Sequence, residues 1–324
     1  MRSEAEYMYA SARIRAAEGR DTAKVRLERM LECRSVEQLY RTVLEYLPEH
    51  PPTLAEALDR ILTNSVALVR NNVPEPALYD FLLYKYDCCN IKTALKAGIL
   101  REEQDRPYYL CGTFDPAGLA GRLAAGDVTG LPSRMGEAVS EAAAAYAETG
   151  EGCVIDFCLD RACFADMAAN TEKYAVPLFR EYASAMADIA NIRSSVRLAS
   201  RGTRGTGVWK QAFVPGGTLS MEMFTAGRCP GYEKLREILL PGMLKDAVER
   251  ILAAGDEAHP DVVWDDVLYR IMNRNRYTPF GVHIPAVFLT GREAELKNCR
   301  IIAAGLADGR TYGELRERVR WEYV

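Results

Sequence analysis

The chain has 324 residues, 48% of them hydrophobic and 27% Asp, Glu, Lys or Arg, a profile that excludes intrinsic disorder and collagen-like order and indicates a folded globular protein. At this length a single core stops growing efficiently, so two or three modules are expected. The 41 basic and 45 acidic side chains leave a net charge of −4, which argues against non-specific affinity for nucleic acid or anionic lipid, because both require a dense positive surface.

In chain order, the opening MRSEAEYMYASARIRAAEGR mixes charged and apolar residues and lacks the continuous apolar stretch of a signal peptide. Between Ser35 and Leu47, the residues Val36, Leu39, Tyr40, Val43, Leu44 and Leu47 recur at intervals of three and four and predict one buried helical face. Comparable periodicity begins near Pro76, Ala138, Pro177, Gly231, Val262 and Pro285. These segments are separated by Cys111-Gly112, Pro215-Gly216-Gly217 and Ala254-Gly255, the Gly and Pro punctuation that ends regular elements. Strand signals are scarce, so an all-α protein of many medium-length helices is expected. Apolar runs such as Ala142 to Ala147 and Cys153 to Leu159 fall well short of the ~20 residues that cross a bilayer as a helix. Nine cysteines is an odd count in a chain far longer than disulfide-built scaffolds, which favours reduced thiols and a cytosolic location.

The sequence also repeats itself. A helix opened by Pro76 carries Asp87, Asn90 and Lys92, one opened by Pro177 carries Asp188, Asn191 and Arg193, and one opened by Pro285 carries Glu295, Asn298 and Arg300. A glycine follows each, at 98, 202 and 305. Proline suits the first helical position and glycine the position just past the end, so these residues are expected to mark helix boundaries. On a helix, the acid and the residues four and eight positions on form one stripe with the asparagine at its edge. Asparagine is a poor interior helix former, so its recurrence predicts a side chain bonded to a neighbouring backbone group. The basic residue lies on another face, available to a second helix or to solvent.

Catalytic alternatives are weak. Gly202-Thr-Arg-Gly-Thr-Gly207 has the glycine spacing of a phosphate loop, but Val208 and Trp209 stand where that motif needs Lys and Ser or Thr, so a connecting segment is the better reading. Cys153, Cys158 and Cys163 are five residues apart. Each step turns about 140° on a helix, which scatters the thiols and predicts buried free cysteines, with no metal set among them. His50, His259 and His283 are isolated in sequence. The acid pairs Glu102-Glu103 and Asp265-Asp266 sit in charged contexts and read as solvated faces; Arg193, Arg197, Arg201 and Arg204 are candidates for an acidic partner surface, with a solvated basic face the better reading. No catalytic, cofactor-binding or metal-binding residue is assigned.

Four stretches carry a family likeness. Phe81-Leu-Leu-Tyr-Lys-Tyr-Asp-Cys-Cys-Asn-Ile-Lys-Thr-Ala-Leu-Lys-Ala97 resembles the signature of the C-type subunit of bacterial and archaeal V-type (A-type) ATP synthases, the counterpart of the d-type subunit of the eukaryotic V-ATPase. Cys88 and Cys89 replace an aromatic residue and a histidine usual there. Tyr9 to Arg20, Phe213 to Ser220, and Glu295 to Ile302 with Leu315 to Val324 resemble the family's start, midpoint loop and end. The resemblance implies an all-α funnel of three similar helical modules around a pseudo-threefold axis, here 1–107, 108–214 and 215–324, with the three acid–Asn–basic sets as structural repeat motifs. It implies a non-catalytic rotor piece without cofactor or metal, which links the D and F proteins of the central stalk to the membrane rotor ring. Such a chain is a monomer in isolation, cytoplasmic and peripheral to the membrane, and neither binds nucleic acid nor inserts into lipid. A helical-repeat scaffold for another protein partner is the alternative.

Overall fold

The computed structural model describes residues 4–18, 23–100, 107–201, 206–225, 231–239, 242–321 and 323. It is 76% helix, with no strand among the described residues, as the periodicity predicts. The chain opens with α1 (Met8–Glu18), α2 (Ala23–Leu31), α3 (Val36–Leu44) and α4 (Leu54–Asn72). Hydroxyls set the starts of α3 and α4. Ser35 Oγ accepts the Gln38 N–H at 3.1 Å, and Thr53 Oγ1 accepts that of Glu56 at 3.2 Å, each satisfying a donor that the first turn leaves open. After a 3₁₀ turn at Pro76–Tyr79 come α5 (Asp80–Leu100), α6 (Leu119–Ala124), α7 (Ser133–Thr149), α8 (Gly152–Tyr174) and α9 (Pro177–Ser200). Then follow α10 (Thr206–Ala212), α11 (Glu222–Thr225), α12 (Tyr232–Ile238), α13 (Met243–Ala254), α14 (Pro260–Asn273), α15 (His283–Ala307) and α16 (Tyr312–Arg318).

Packing divides the chain into two compact units, Met1–Pro76 with Ala254–Val324, and Ala77–Ala253. In the first, α15 is the central helix and touches α1, α2, α3, α4, α14 and α16. Its buried residues, among them Ile284, Phe288, Leu289, Leu296 and Ile302, cover every face, as a helix surrounded by others requires. In the second unit, α8 packs along α5, α7 and α9. Phe81 and Phe179 lie 5.1 Å apart, with Tyr182 edge-on to Phe81, a tilted geometry that suits aromatic quadrupoles. Trp209, 1% exposed, packs against Phe224 at 5.0 Å and Phe213 at 5.8 Å. The tryptophan that interrupts the phosphate-loop pattern is therefore a core residue, while residues 202–205, Arg204 among them, lie outside the described residues.

Helix boundaries differ from the expectation at several points. Pro177 is the first residue of α9, but Pro76 opens a 3₁₀ turn and Pro285 is the third residue of α15. Gly98 and Gly305 lie inside α5 and α15, and Gly202 is not among the described residues. The left-handed glycine after α15 is Gly309, with φ +71°. Gly305 serves a different purpose, since a Cβ there would lie 2.2 Å from Leu315 Cδ2, so the missing side chain admits the approach of α16.

Asp265 and Asp266 are a correction: both are buried where a solvated pair was expected. Asp265 accepts from Arg320 Nε at 2.9 Å and Lys297 Nζ at 3.0 Å, so cations distant in sequence make its burial tolerable. The other acid pair, Glu102 and Glu103, lies outside the described residues. Asp166 is a further buried acid with a structural task. It accepts the N–H groups of Arg134 at 3.1 Å and Met135 at 3.0 Å, capping α7, whose preceding residue Pro132 provides no capping side chain.

Cys158 and Cys163 are buried, as read from the spacing, whereas Cys153 is exposed. A hydrogen bond with the free Cys88 thiol, together with burial, holds the Cys163 thiol well above its ordinary value, and burial pushes Cys299 up to about 12. A thiolate-directed reagent at pH 8 should therefore label Cys153 in the native protein and reach Cys163 and Cys299 only after unfolding, which mass mapping of the adducts checks. The folded Cys299 keeps its proton where the unfolded thiol has lost it, so this group's contribution to stability is full below pH 9 and is lost as pH rises toward about 12.

Candidate functional site

The asparagines of the repeat are the best defined polar features of both units. Asn90, Asn191 and Asn298 are 1%, 0% and 0% exposed, and each makes the same pair of bonds to one downstream peptide. Asn90 Nδ2 donates to the Tyr109 carbonyl at 2.8 Å, and its Oδ1 accepts the Tyr109 N–H at 2.9 Å, 19 residues along the chain. Asn191 does the same with Val214, both bonds at 2.9 Å, 23 residues along. Asn298 does so with Arg320, at 2.9 and 2.8 Å, 22 residues along. An amide carries one donor edge and one acceptor edge, so it replaces a strand neighbour for an isolated peptide group. The bond is to backbone, as expected, but to a returning segment rather than to the helix itself.

The acids at the first two positions continue the clamp. Asp87 accepts the Thr113 N–H at 2.9 Å and its hydroxyl at 2.7 Å. Asp188 accepts the Thr218 N–H at 3.1 Å, its hydroxyl at 2.7 Å and the Leu219 N–H at 2.9 Å. Each threonine follows a glycine whose Cβ would lie 2.1 Å from the carboxylate, Gly112 against Asp87 and Gly217 against Asp188. Gly217→Ala should therefore displace the Asp188 carboxylate and cost about 1–3 kcal/mol by overpacking, read as a lower urea midpoint. An unchanged midpoint would show that the loop yields freely. Neither glycine was assigned from sequence, although a doubled Gly-Thr, 26 and 30 residues past its acid at threonine, was the available signal.

The third acid is held differently. Glu295 accepts from Arg26 Nε at 2.6 Å and from an Arg292 guanidinium nitrogen at 2.7 Å, in a buried pair that joins α2 to α15. The basic residues also diverge. Lys92 reaches Asp160 on α8 at 2.7 Å, Arg300 reaches Asp59 on α4 at 3.1 Å, and Arg193 is exposed with Arg197 and Arg201. Burial pulls the Lys92 ammonium down, but Cys88, Asp160 and the bond to Asp160 outweigh it and hold the group above its usual range. His50 is exposed, His259 precedes α14, and His283 is buried at the start of α15. Among the described residues, no group of three or more His, Cys, Asp or Glu could hold a metal ion, and no helix is long and apolar enough to cross a membrane.

These bonds hold peptide groups and ion pairs in place, a mechanical task, and each clamp has at least one half in a stretch that carries the family likeness. Phe213 to Ser220 contains the segment that closes on Asn191 and Asp188, and Leu315 to Val324 contains the peptide that closes on Asn298. Residues 10–318 match the model of the ATP synthase (C/AC39) subunit. The chain belongs to that family. As a C/AC39 chain it is similar to the C-type subunit of the A-type ATP synthase of Methanothermobacter thermautotrophicus, 27% identical over 92% of this chain and 83% of the relative. It is also similar to the protein of the same description from Thermococcus gammatolerans, 24% identical over 94% and 87%. This C/AC39 chain is thus a subunit of an A/V-type ATP synthase.

Proposed function

We propose that the chain is the non-catalytic central-rotor adapter of its rotary ATPase, seated between the D and F proteins of the stalk and the membrane rotor ring. One observation carries this reading: the C/AC39 match runs from residue 10 to residue 318, so both packing units of the chain fall within that one family. In this role it acts at the cytoplasmic face of the membrane, as a peripheral part of the complex, and takes no cofactor. ATP turnover belongs to the catalytic head and ion passage to the ring, and the adapter passes torque between them.

Torque transfer requires stiffness, and close-packed helices provide it because their interiors transmit strain. The asparagine clamps suit the same task. Each ties a helix of 21 to 25 residues to the chain that returns from it, so that load on one is borne by both. We read the three asparagine clamps as one joint built three times, the trace of three similar modules near 1–107, 108–214 and 215–324, with Asp87 and Asp188 adding bonds to the first two clamps, Glu295 tying α15 to α2 instead, and Lys92, Arg193 and Arg300 as the basic residues of the repeat. Holding both neighbours calls for contacts larger than the ~1,600 Å² of a standard interface, shared between two faces.

Co-expression with the stalk proteins tests the assignment. A stoichiometric complex with D and F that survives size exclusion is the expected result. Failure to assemble with them, under conditions in which D and F pair with each other, would favour a helical scaffold for a different partner.

A further inference from the structure

We infer that a cavity in the first unit, walled by α1, α2, α14 and α15, is an oxyanion site that takes a phosphate group. It encloses about 260 Å³. Arg15, Arg26, Arg276 and Arg292 line it against Glu18 and Glu295, four guanidiniums to two carboxylates, which leaves an excess of two positive charges. That excess matches a phosphate dianion, and the planar guanidinium fork fits phosphate oxygens two at a time.

The cations are held ready. Arg26 is fixed by Glu295 at 2.6 Å and by the Glu18 carbonyl at 3.1 Å. Arg292 is fixed by Glu295 at 2.7 Å and by the Ala17 carbonyl at 3.3 Å, and Arg15 by the Glu18 carboxylate at 3.0 Å and the Arg276 carbonyl. A guanidinium has five N–H donors, and these bonds occupy two in each of Arg15 and Arg292.

Two further features line the cavity. Tyr323 forms part of the wall and is 5% exposed, with its hydroxyl buried beside Asn298. Ala23, the first residue of α2, also lines the cavity and brings the positive end of that helix to the wall. A phosphate group with its waters fits a space of this volume.

The phosphate could be free or the terminal group of a nucleotide. Calorimetric titration of the full chain in low-salt chloride buffer, with inorganic phosphate, ADP and ATP as separate arms, distinguishes these sources. Saturable one-to-one binding in at least one arm is expected, and the tightest arm names the source. Arg15→Ala should weaken that binding about tenfold or more. Arg276→Ala, at a second lining cation, should weaken it as well. No saturable heat in any arm, an equal response to added chloride, or binding unmoved in both variants would overturn the assignment. None of these outcomes bears on the adapter role, which rests on the family match.

Discussion

Glu295→Ala should lower the unfolding free energy by about 3–5 kcal/mol, the cost of breaking a buried ion pair from one side. The carboxylate is the partner of Arg26, itself 7% exposed, and it also holds Arg292. Its loss leaves the Arg26 guanidinium buried with its Nε donor unanswered, so the penalty is the desolvation of a charge rather than the value of one hydrogen bond. Arg292 is less enclosed and can reorient toward water. Glu295→Gln keeps an acceptor and should cost less than alanine. Urea unfolding followed by tryptophan fluorescence checks both, with the slope unchanged and the midpoint lowered. A loss below about 1 kcal/mol for alanine would mean that Arg26 finds another partner, as happens for surface pairs.

Asn191→Ala should cost about 2–5 kcal/mol, because it strands both the N–H and the carbonyl of Val214, and each unsatisfied buried group costs roughly 1–3 kcal/mol. Both bonds are buried. The two bonds of Asn90 are only partly so, and water can replace some of what is lost there, so Asn90→Ala should be milder. Asn298→Ala, whose bonds are buried again, should resemble Asn191→Ala. Asn191→Asp is the informative control, since it keeps the shape and an acceptor but points an ionised oxygen at the Val214 carbonyl. It should therefore be no better than alanine. An aspartate variant as stable as wild type would show that the donated bond contributes nothing.

Local chemistry in the sequence carried the fold class. Three-and-four spacing from Val36 to Leu47 marks α3 and its continuation, Pro177 marks the start of α9, and the absence of alternating runs argues against sheets. Local chemistry also carried the asparagines, because an interior helical Asn needs a bond to justify its place. What it could not carry was the partner. Tyr109, Val214 and Arg320 lie 19 to 23 residues away, and nothing short-range distinguishes them from other loop peptides. Arg26 and Glu295 are 269 residues apart, and only the packing of α2 on α15 brings them together. The same limit misplaced Asp265, whose charged neighbours suggest solvent until Arg320, 55 residues on, is seen to cover it. Helix ends were misjudged for a related reason: Gly305 serves the approach of Leu315, and past the end of α15 it is Gly309 that takes the left-handed conformation suited to ending a helix.

The most direct measurement of the adapter role is ATP-driven ion uptake into vesicles that carry the complex, assembled with and without this chain, with ATP hydrolysis followed in the same samples. Without the chain, the head and its stalk should still hydrolyse ATP while uptake falls to background, and adding the chain back should restore uptake. Hydrolysis lost together with uptake would place the chain in the catalytic machinery. Uptake that persists without it would contradict a role in carrying torque to the ring.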